Sequence, residues 1–257
     1  MKYKIALHSD VGIQKETNQD SLCVKQAQTH KGTVTFAVVC DGMGGLEKGE
    51  VASATLIKKL AKWFDVELTQ ALKMTKPVEE IQYRWNRIIK EQSQEIAVYG
   101  RSNHIQLGTT VTMMLILENG EYIIGNVGDS RIYKITNDNI NLLTKDQTLV
   151  AHEIEMGRLT PEEAEKDDRR SVLLQCVGAS KTVIPDFFYG RANKDECYFL
   201  CSDGFRHEIT SDEIMQAFYP MKNNEESEME NNIIKMIEIN KARQETDNIS
   251  GILIKVE

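Results

Sequence analysis

The sequence lacks a long hydrophobic run, and this shortage excludes one class of protein. Its longest nearly continuous apolar stretch covers residues 111–117 and already contains a threonine. A helix that crosses a bilayer needs roughly 20 apolar residues. At the N-terminus, His8 and Asp10 come too early to leave room for the apolar core of a signal peptide. We therefore expect a cytoplasmic protein with no membrane partner.

Proline is scarce, and the glycine and cysteine contents are ordinary. Four prolines and 16 glycines exclude a collagen-like or proline-rich architecture. The five cysteines show no Cys-x-x-Cys spacing, which favours reduced core residues over a disulfide framework or a zinc site. The histidines show no paired helical spacing, so a histidine-rich metal site is not expected.

Positive charge is in deficit as well. The 257 residues include 31 Lys and Arg against 39 Asp and Glu, which gives a formal net charge of −8. Binding to nucleic acid needs a basic face that displaces counterions. The charge balance therefore argues against a nucleic-acid partner. With 41% hydrophobic residues, the composition is otherwise that of an ordinary globular protein.

The spacing and type of the apolar residues predict both strands and helices, in mixed order along the chain. Helical periodicity of three and four runs through residues 51–64 and 77–99, and shorter helices are predicted over 211–218 and 229–240. Runs rich in β-branched and aromatic residues predict strands over 22–24, 34–40, 111–117, 122–127, 131–135, 197–201 and 252–256.

The spacing of these elements predicts the fold class. Strands near 111–117, 120–127 and 130–135 are joined by connections too short for a crossover, so we expect them to be antiparallel neighbours. This order favours an α+β fold with antiparallel sheets over a doubly wound parallel sheet. We expect one domain that covers residues 1–257.

Aspartates recur where predicted strands end or begin. An Asp-Gly pair after an apolar run is also a common hairpin turn, so each one alone carries little weight. Together they would repel one another unless a cation neutralised them. Oxygen ligands without His or Cys favour Mg²⁺ or Mn²⁺. The five residues are Asp20, Asp41, Asp129, Asp203 and Asp247.

Glycines beside one of these aspartates fit the same site. Gly42 and the pair Gly44 and Gly45 would let the backbone approach an ion, so that a carbonyl oxygen could join the ligands. Two ions roughly 3.5–4 Å apart would share a bridging hydroxide and clamp the attacking and leaving oxygens of a phosphoryl transfer. No motif for a nucleophilic side chain or a Walker-type loop is found.

At this point the chain resembles the metal-dependent protein phosphatases (PPM, protein phosphatase type 2C) in their compact bacterial form. The resemblance extends over nearly the whole chain, and its pieces occur in the family's order. They include Asn18-Gln-Asp20, Asp41-Gly-Met-Gly-Gly45, Gly108-Thr-Thr-Val-Thr112, Gly128-Asp-Ser-Arg131, Ser202-Asp-Gly204 and Asp247-Asn248.

The resemblance implies a fold and a set of site residues. The fold is an antiparallel β-sandwich of two sheets flanked by pairs of helices, in four layers αββα. Asp41 would bridge two Mg²⁺ or Mn²⁺ ions, the Gly42 carbonyl would join the second, and Asp203 and Asp247 would complete the first. Asp129 would share a third, weaker ion with Asp203. Asp20 would orient water on the metals, and residues 146–179 would form a flap over the site.

Four positions depart from the family pattern. Lys15 stands at the phosphate-binding arginine and keeps the charge without the planar fork, so weaker phosphate capture is implied. Gln19 replaces a glutamate that many relatives use at the second metal, which implies looser binding there. Met43 replaces the histidine that eukaryotic relatives use as a general acid. Gln147 replaces another histidine, and we interpret it as structural.

The resulting hypothesis is a metal-dependent serine/threonine phosphatase in which a metal-bridging hydroxide attacks phosphorus. Its partners would be phosphoproteins, the products of a Ser/Thr kinase, and a monomer is expected. One alternative is a catalytically weak module of the same fold that binds phosphoproteins or regulators, which Lys15 and Gln19 would favour. Another is a metal nuclease, which the acidic charge argues against.

Overall fold

The structure is a computed structural model that describes residues 1–29, 32–43 and 48–257. Gly44 and Gly45 lie outside the described residues. In this part of the chain, strands β1–β10 are Tyr3–Asp10, Ser21–Thr29, Gly32–Cys40, Val111–Ile116, Glu121–Val127, Arg131–Ile135, Ile140–Leu142, Asp186–Arg191, Cys197–Cys201 and Ile249–Val256. Helices α1–α7 are Gly49–Val66, Leu68–Ala71, Pro77–Asn103, Leu149–Glu155, Pro161–Ala164, Ser211–Phe218 and Glu226–Ala242.

The strands form two five-stranded sheets in which every pairing is antiparallel. One sheet has the order β1-β10-β9-β6-β7 and the other has the order β2-β3-β4-β5-β8. The predicted fold class, α+β with antiparallel sheets, is therefore confirmed. The long predicted helices are confirmed too, and α3 starts at Pro77, where the missing N–H of proline costs no hydrogen bond.

Three apolar layers hold the sheets and helices together. Alternate side chains of β3 point in opposite directions: Phe36 and Val38 pack against α1 and α3, whereas Ala37 and Val39 pack between the sheets. On the far side, Phe199 of β9 packs with residues of α6 and α7. Helices, sheet, sheet and helices therefore form the four layers that the resemblance implied.

One predicted neighbour relation is wrong. β4 and β5 do pair, but β5 and β6 belong to different sheets. The chain crosses between the sheets at Gly128, whose φ of 103° favours glycine. A Cβ at this position would also come within 2.5 Å of the Thr110 side chain. A short connection can thus join stacked sheets as well as paired strands, and the argument from connection length overlooked this possibility.

Three strands had no counterpart in the prediction: β1, the short β7 and β8. β1 and β8 each lie at the edge of a sheet and are less deeply buried than the central strands, so their apolar pattern is weak. All five cysteines are free thiols, as predicted. Within the described ranges, no helix has the length and apolar character that crossing a bilayer requires.

Candidate metal centre

Strand pairing brings the predicted aspartates to one end of the sandwich. Ser21 at the start of β2 lies opposite Cys40 at the end of β3, so Asp20 and Asp41 leave the sheet side by side. In the other sheet, Cys201 lies opposite both Gly251 and Arg131. Asp203, Asp247 and Asp129 flank these three positions along the chain, so all five aspartates share this end.

The backbone of Asp41 is fixed by hydrogen bonds with Thr109 and Thr110, the two residues just before β4. Its N–H donates to the Thr110 hydroxyl at 3.0 Å, and its carbonyl accepts from the Thr110 N–H at 2.8 Å and from Thr109 Oγ1 at 2.9 Å. These contacts make Asp41 a rigid position from which a carboxyl group can be aimed.

Gly42 lies where only glycine fits. Its N–H donates to the Gln19 carbonyl at 3.2 Å, and a Cβ would come within 2.5 Å of that same oxygen and 2.6 Å of Gly49. The chain segments before β2 and at the start of α1 are therefore packed directly on this glycine. The Gln19 side chain donates to Glu50 Oε2 at 3.5 Å, so a carboxylate lies beside the position where relatives carry glutamate.

The aspartates act strongly on one another. Burial raises the pKa of Asp41 well above its usual range, and the charges of Asp203, Asp20, Asp129 and Asp247 raise it further. Burial would also raise the pKa of Asp203, but His207, Arg206 and a hydrogen bond from Asp41 hold it below its usual value. The pKa values of the two carboxyls are therefore shifted in opposite directions, upward for Asp41 and downward for Asp203.

Burial also disfavours the charged forms of Asp20 and Asp129. Burial raises the pKa of each to about 7. Asp20 Oδ2 accepts a hydrogen bond from Ser202 Oγ at 2.9 Å, whereas its Oδ1, although buried, meets no hydrogen-bond donor among the described residues. A buried carboxylate oxygen without a donor calls for a cation or a water.

The donor set fits a hard divalent cation, although the cage is not closed. Across the described residues, no three His, Cys, Asp or Glu side chains stand ready to hold a metal ion. Carboxylates, a free carboxylate oxygen and a close glycine backbone are nonetheless the ligands that Mg²⁺ and Mn²⁺ use.

Lys15 and Asp247 meet at the rim of the cluster. Lys15 Nζ lies 3.2 Å from Asp247 Oδ1, and both side chains are partly exposed. The next residue, Asn248, accepts from the Gln19 N–H at 2.9 Å and donates to the Val11 carbonyl at 2.9 Å. Asn248 thus ties the segment that carries Lys15 to the strand end that carries Asp247.

Two cationic residues beside the cluster were not predicted to belong to the site. Arg206 Nη2 lies 3.2 Å from Asp129 Oδ2, and His207 Nε2 lies 3.4 Å from Asp203 Oδ2. His207 Nδ1 also lies 3.2 Å from Glu245, and this contact helps to raise its pKa against the effect of burial. Their only signal in the sequence is that they follow Asp203 by three and four residues.

The predicted flap segment, residues 146–179, is attached to the site at both ends. Asp146 accepts from Arg131 through both oxygens, at 2.9 and 2.7 Å. Near the other end, Val177 forms a β-bridge with Thr109, the residue that donates to the Asp41 carbonyl. Gln147 accepts from the Gly128 N–H and donates to Asp186, both at 2.8 Å, which supports its structural interpretation.

Comparisons with known proteins point to one family. The family model described as Protein phosphatase 2C matches residues 12–238. The chain is 28% identical, over 99% of its own length and 98% of the relative's, to a putative protein phosphatase 2C-type from Streptococcus pyogenes serotype M6.

Solved structures give the same answer. Serine/threonine phosphatase Stp1 from Staphylococcus aureus has a TM-score of 0.86 and 27% identity, with 100% of this chain and 96% of that chain covered. The catalytic domain of the serine threonine protein phosphatase PstP, in complex with two manganese ions, has a TM-score of 0.78 and 26% identity, with 99% of each chain covered.

Proposed function

The chain belongs to the protein phosphatase 2C family, and from that premise we propose that it hydrolyses phosphoserine and phosphothreonine in proteins with the help of Mg²⁺ or Mn²⁺. The class of enzyme is serine/threonine protein phosphatase, as in the named relatives. The observation that carries the metal-dependent part is the strand register, which brings five buried or half-buried aspartates to one end of the sandwich, where their charges act on one another.

Four groups would hold two ions: the carboxyls of Asp41, Asp203 and Asp247 and the carbonyl of Gly42. Bound divalent cations supply a nucleophilic water of lowered pKa and neutralise the charge of the phosphoryl group. The rigid backbone around Asp41 and Gly42 keeps these oxygens in place. Asp20, which is held by Ser202, would orient water with its remaining oxygen.

Lys15 is the residue that would bind the phosphate group. Its ammonium already lies at the rim of the cluster, 3.2 Å from Asp247. An ammonium is a point charge that cannot form the two parallel hydrogen bonds of a guanidinium, so it would hold phosphate less firmly. Met43 has no proton to donate, so the leaving serine or threonine oxygen would take its proton from water.

The proposal extends to the substrates, the cellular compartment and the oligomeric state. The substrates would be phosphoproteins made by a Ser/Thr kinase, and the flap of residues 146–179, within a single domain, would cover the site and influence the choice of substrate. Free thiols support a reducing compartment such as the cytoplasm. We expect a monomer, because one chain supplies every residue of the proposed centre.

Replacing one ligand tests the proposal. Asp203→Asn keeps the size of the side chain but removes a charge, and we expect it to lower Mn²⁺-dependent release of phosphate from a phosphothreonine peptide on the order of 10³-fold, about 4 kcal/mol. Asp65→Asn is the matched control, because among the described residues Asp65 pairs with Lys25 alone, on the surface. Circular dichroism would confirm that both variants fold.

The outcomes separate the hypotheses. Unchanged turnover in Asp203→Asn would refute the proposed centre. Binding of Mn²⁺ by the unaltered protein, measured by calorimetry, without any turnover would favour a phosphoprotein-binding module instead.

A further inference from the structure

Arg206 occupies a place that the sequence analysis reserved for a third metal ion. Its Nη2 donates to both the Oδ2 atom of Asp129, at 3.2 Å, and the main-chain carbonyl of Asp129, at 3.0 Å. The same nitrogen lies 3.6 Å from Asp146 Oδ2. One guanidinium nitrogen thus faces three oxygen atoms from two residues.

The position of Arg206 is fixed by its surroundings. Only 12% of its side chain is exposed, and 5% of that of Asp129. Asp146 is in turn held by two hydrogen bonds from Arg131. A guanidinium keeps its charge at any pH that a protein survives, so Asp129 faces a permanent positive charge.

We propose that the guanidinium of Arg206 is the built-in counter-charge of Asp129, so that the centre takes two divalent ions and Asp129 binds none. This inference rests on the proposed function, because it concerns the same cluster. An ion at Asp129 would be repelled by the fixed charge of Arg206, which already occupies Asp129 Oδ2 and cannot leave by losing a proton. A third ion would have to displace a buried side chain from three acceptors.

Arg206 acts on the remaining ligands only at a distance: its charge helps to hold the pKa of Asp203 below its usual value. Asp41 and Asp247 have no ion pair with Arg206 among the described residues, and Asp203 pairs instead with His207. Arg206 therefore neutralises one side of the cluster and leaves the other side open to ions. It also connects Asp129 to Asp146, the first residue of the flap, and so holds the start of the flap against the centre.

Counting bound ions tests the inference without measuring activity. We expect native mass spectrometry and Mn²⁺ titration followed by electron paramagnetic resonance to give about two ions per chain for the unaltered protein. Asp129→Asn should leave this number unchanged, because Asp129 binds no ion. Arg206→Ala should gain one further, weaker binding event, and Arg206→Ala combined with Asp129→Asn should lose it again.

Two variants separate charge from simple disruption of packing. Arg206→Lys keeps a cation near Asp129 and should keep the lower ion count. Arg131→Ala removes another guanidinium from the same network, but one whose contacts are with Asp146 and Tyr133, so it should not gain an ion.

The inference is overturned if the unaltered protein binds about three ions and Asp129→Asn removes one. This test does not need Arg206→Ala, so it remains valid even if that variant fails to fold. The inference is also overturned if Arg206→Ala raises the KM for a phosphopeptide with no change in ion count, because Arg206 would then be a phosphate ligand. Failure to bind any ion would instead count against the proposed function itself.

Discussion

The two ends of the sandwich use acidic residues in opposite ways. At the end away from the metal centre, Lys4 Nζ lies 3.0 Å from Glu257 and 3.3 Å from Glu225. A hydrogen bond from Lys4 holds the pKa of Glu257 below its usual value. At the centre, by contrast, burial and like charges raise the pKa of Asp41 well above its usual range.

The two ends therefore hold two kinds of carboxylate. Those at the far end are stable in the folded protein as they are, whereas those at the centre need a bound cation. Exposed carboxylates with an ammonium beside them cost the folded state little. Buried carboxylates that face one another destabilise it until a cation binds. Lys15, Arg206 and His207 supply only part of the required positive charge. The cluster is therefore the place where bound cations should change the stability of the protein most.

The largest expected effect is the response of stability to metal and pH. The pKa values of Asp20 and Asp129, about 7 in the folded protein, exceed the unfolded value of about 3.9. Such groups stabilise the fold fully below the unfolded pKa, and this contribution is lost as pH rises through the folded pKa. In EDTA, we therefore expect the melting temperature to fall as the pH rises from about 4 to about 7.

Added Mn²⁺ should reverse this loss most strongly at the alkaline end. An ion present at about 100 times its Kd adds about 2.7 kcal/mol, or roughly 5–10 °C for a chain of this size. Scanning calorimetry at several pH values, with and without Mn²⁺, measures both effects. Equal shifts at pH 5 and pH 8 would contradict the assignment of the cluster as the binding site.

A smaller effect, on activity, is expected when Asp20, whose free carboxyl oxygen would orient water, is replaced. Asp20→Asn replaces a carboxyl that accepts from Ser202, and residues that support metal ligands typically contribute about 10–100-fold to activity. The variant should lose activity in this range, mainly in kcat. Its melting temperature in EDTA should fall less steeply with pH, because one of the titrating groups is gone.

Asp10→Asn is the matched control for this variant. Asp10 also ends a strand, but it accepts from the Gly12 N–H at 2.8 Å and pairs with Lys241 at 3.4 Å. Its substitution should change kcat by less than about twofold, as expected for a surface ion pair. If the two substitutions had equal effects on kcat, the distinction between cluster aspartates and ordinary strand-end aspartates would be lost.

The sequence predicted the fold wherever burial produced a clear pattern. β3 is apolar on both faces because it packs between helices and the second sheet, and α6 lies where a short helix was predicted, near residues 211–218. The crossing at Gly128 was missed because connection length does not distinguish a hairpin from a step between stacked sheets. Edge strand β8 was missed because its residues are half exposed.

For the site, the sequence predicted residue types better than interactions. The aspartates could be found because each one follows or precedes a strand. The contact between Arg206 and Asp129 joins residues 77 positions apart and has no periodic signal. Glu50 beside Gln19 depends in the same way on how α1 packs against the segment before β2.

The smallest effect is expected at the opposite end of the sandwich. Lys4→Ala removes the ammonium from Glu225 and Glu257, but these carboxylates are solvated and can exchange the ion pair for water. We expect little change in the melting temperature and none in kcat or in the response to Mn²⁺. Scanning calorimetry and the phosphatase assay measure these quantities. High salt should abolish any difference in melting temperature from the unaltered protein. A loss of stability as large as that caused by removing metal at pH 8 would show that the two ends are energetically alike.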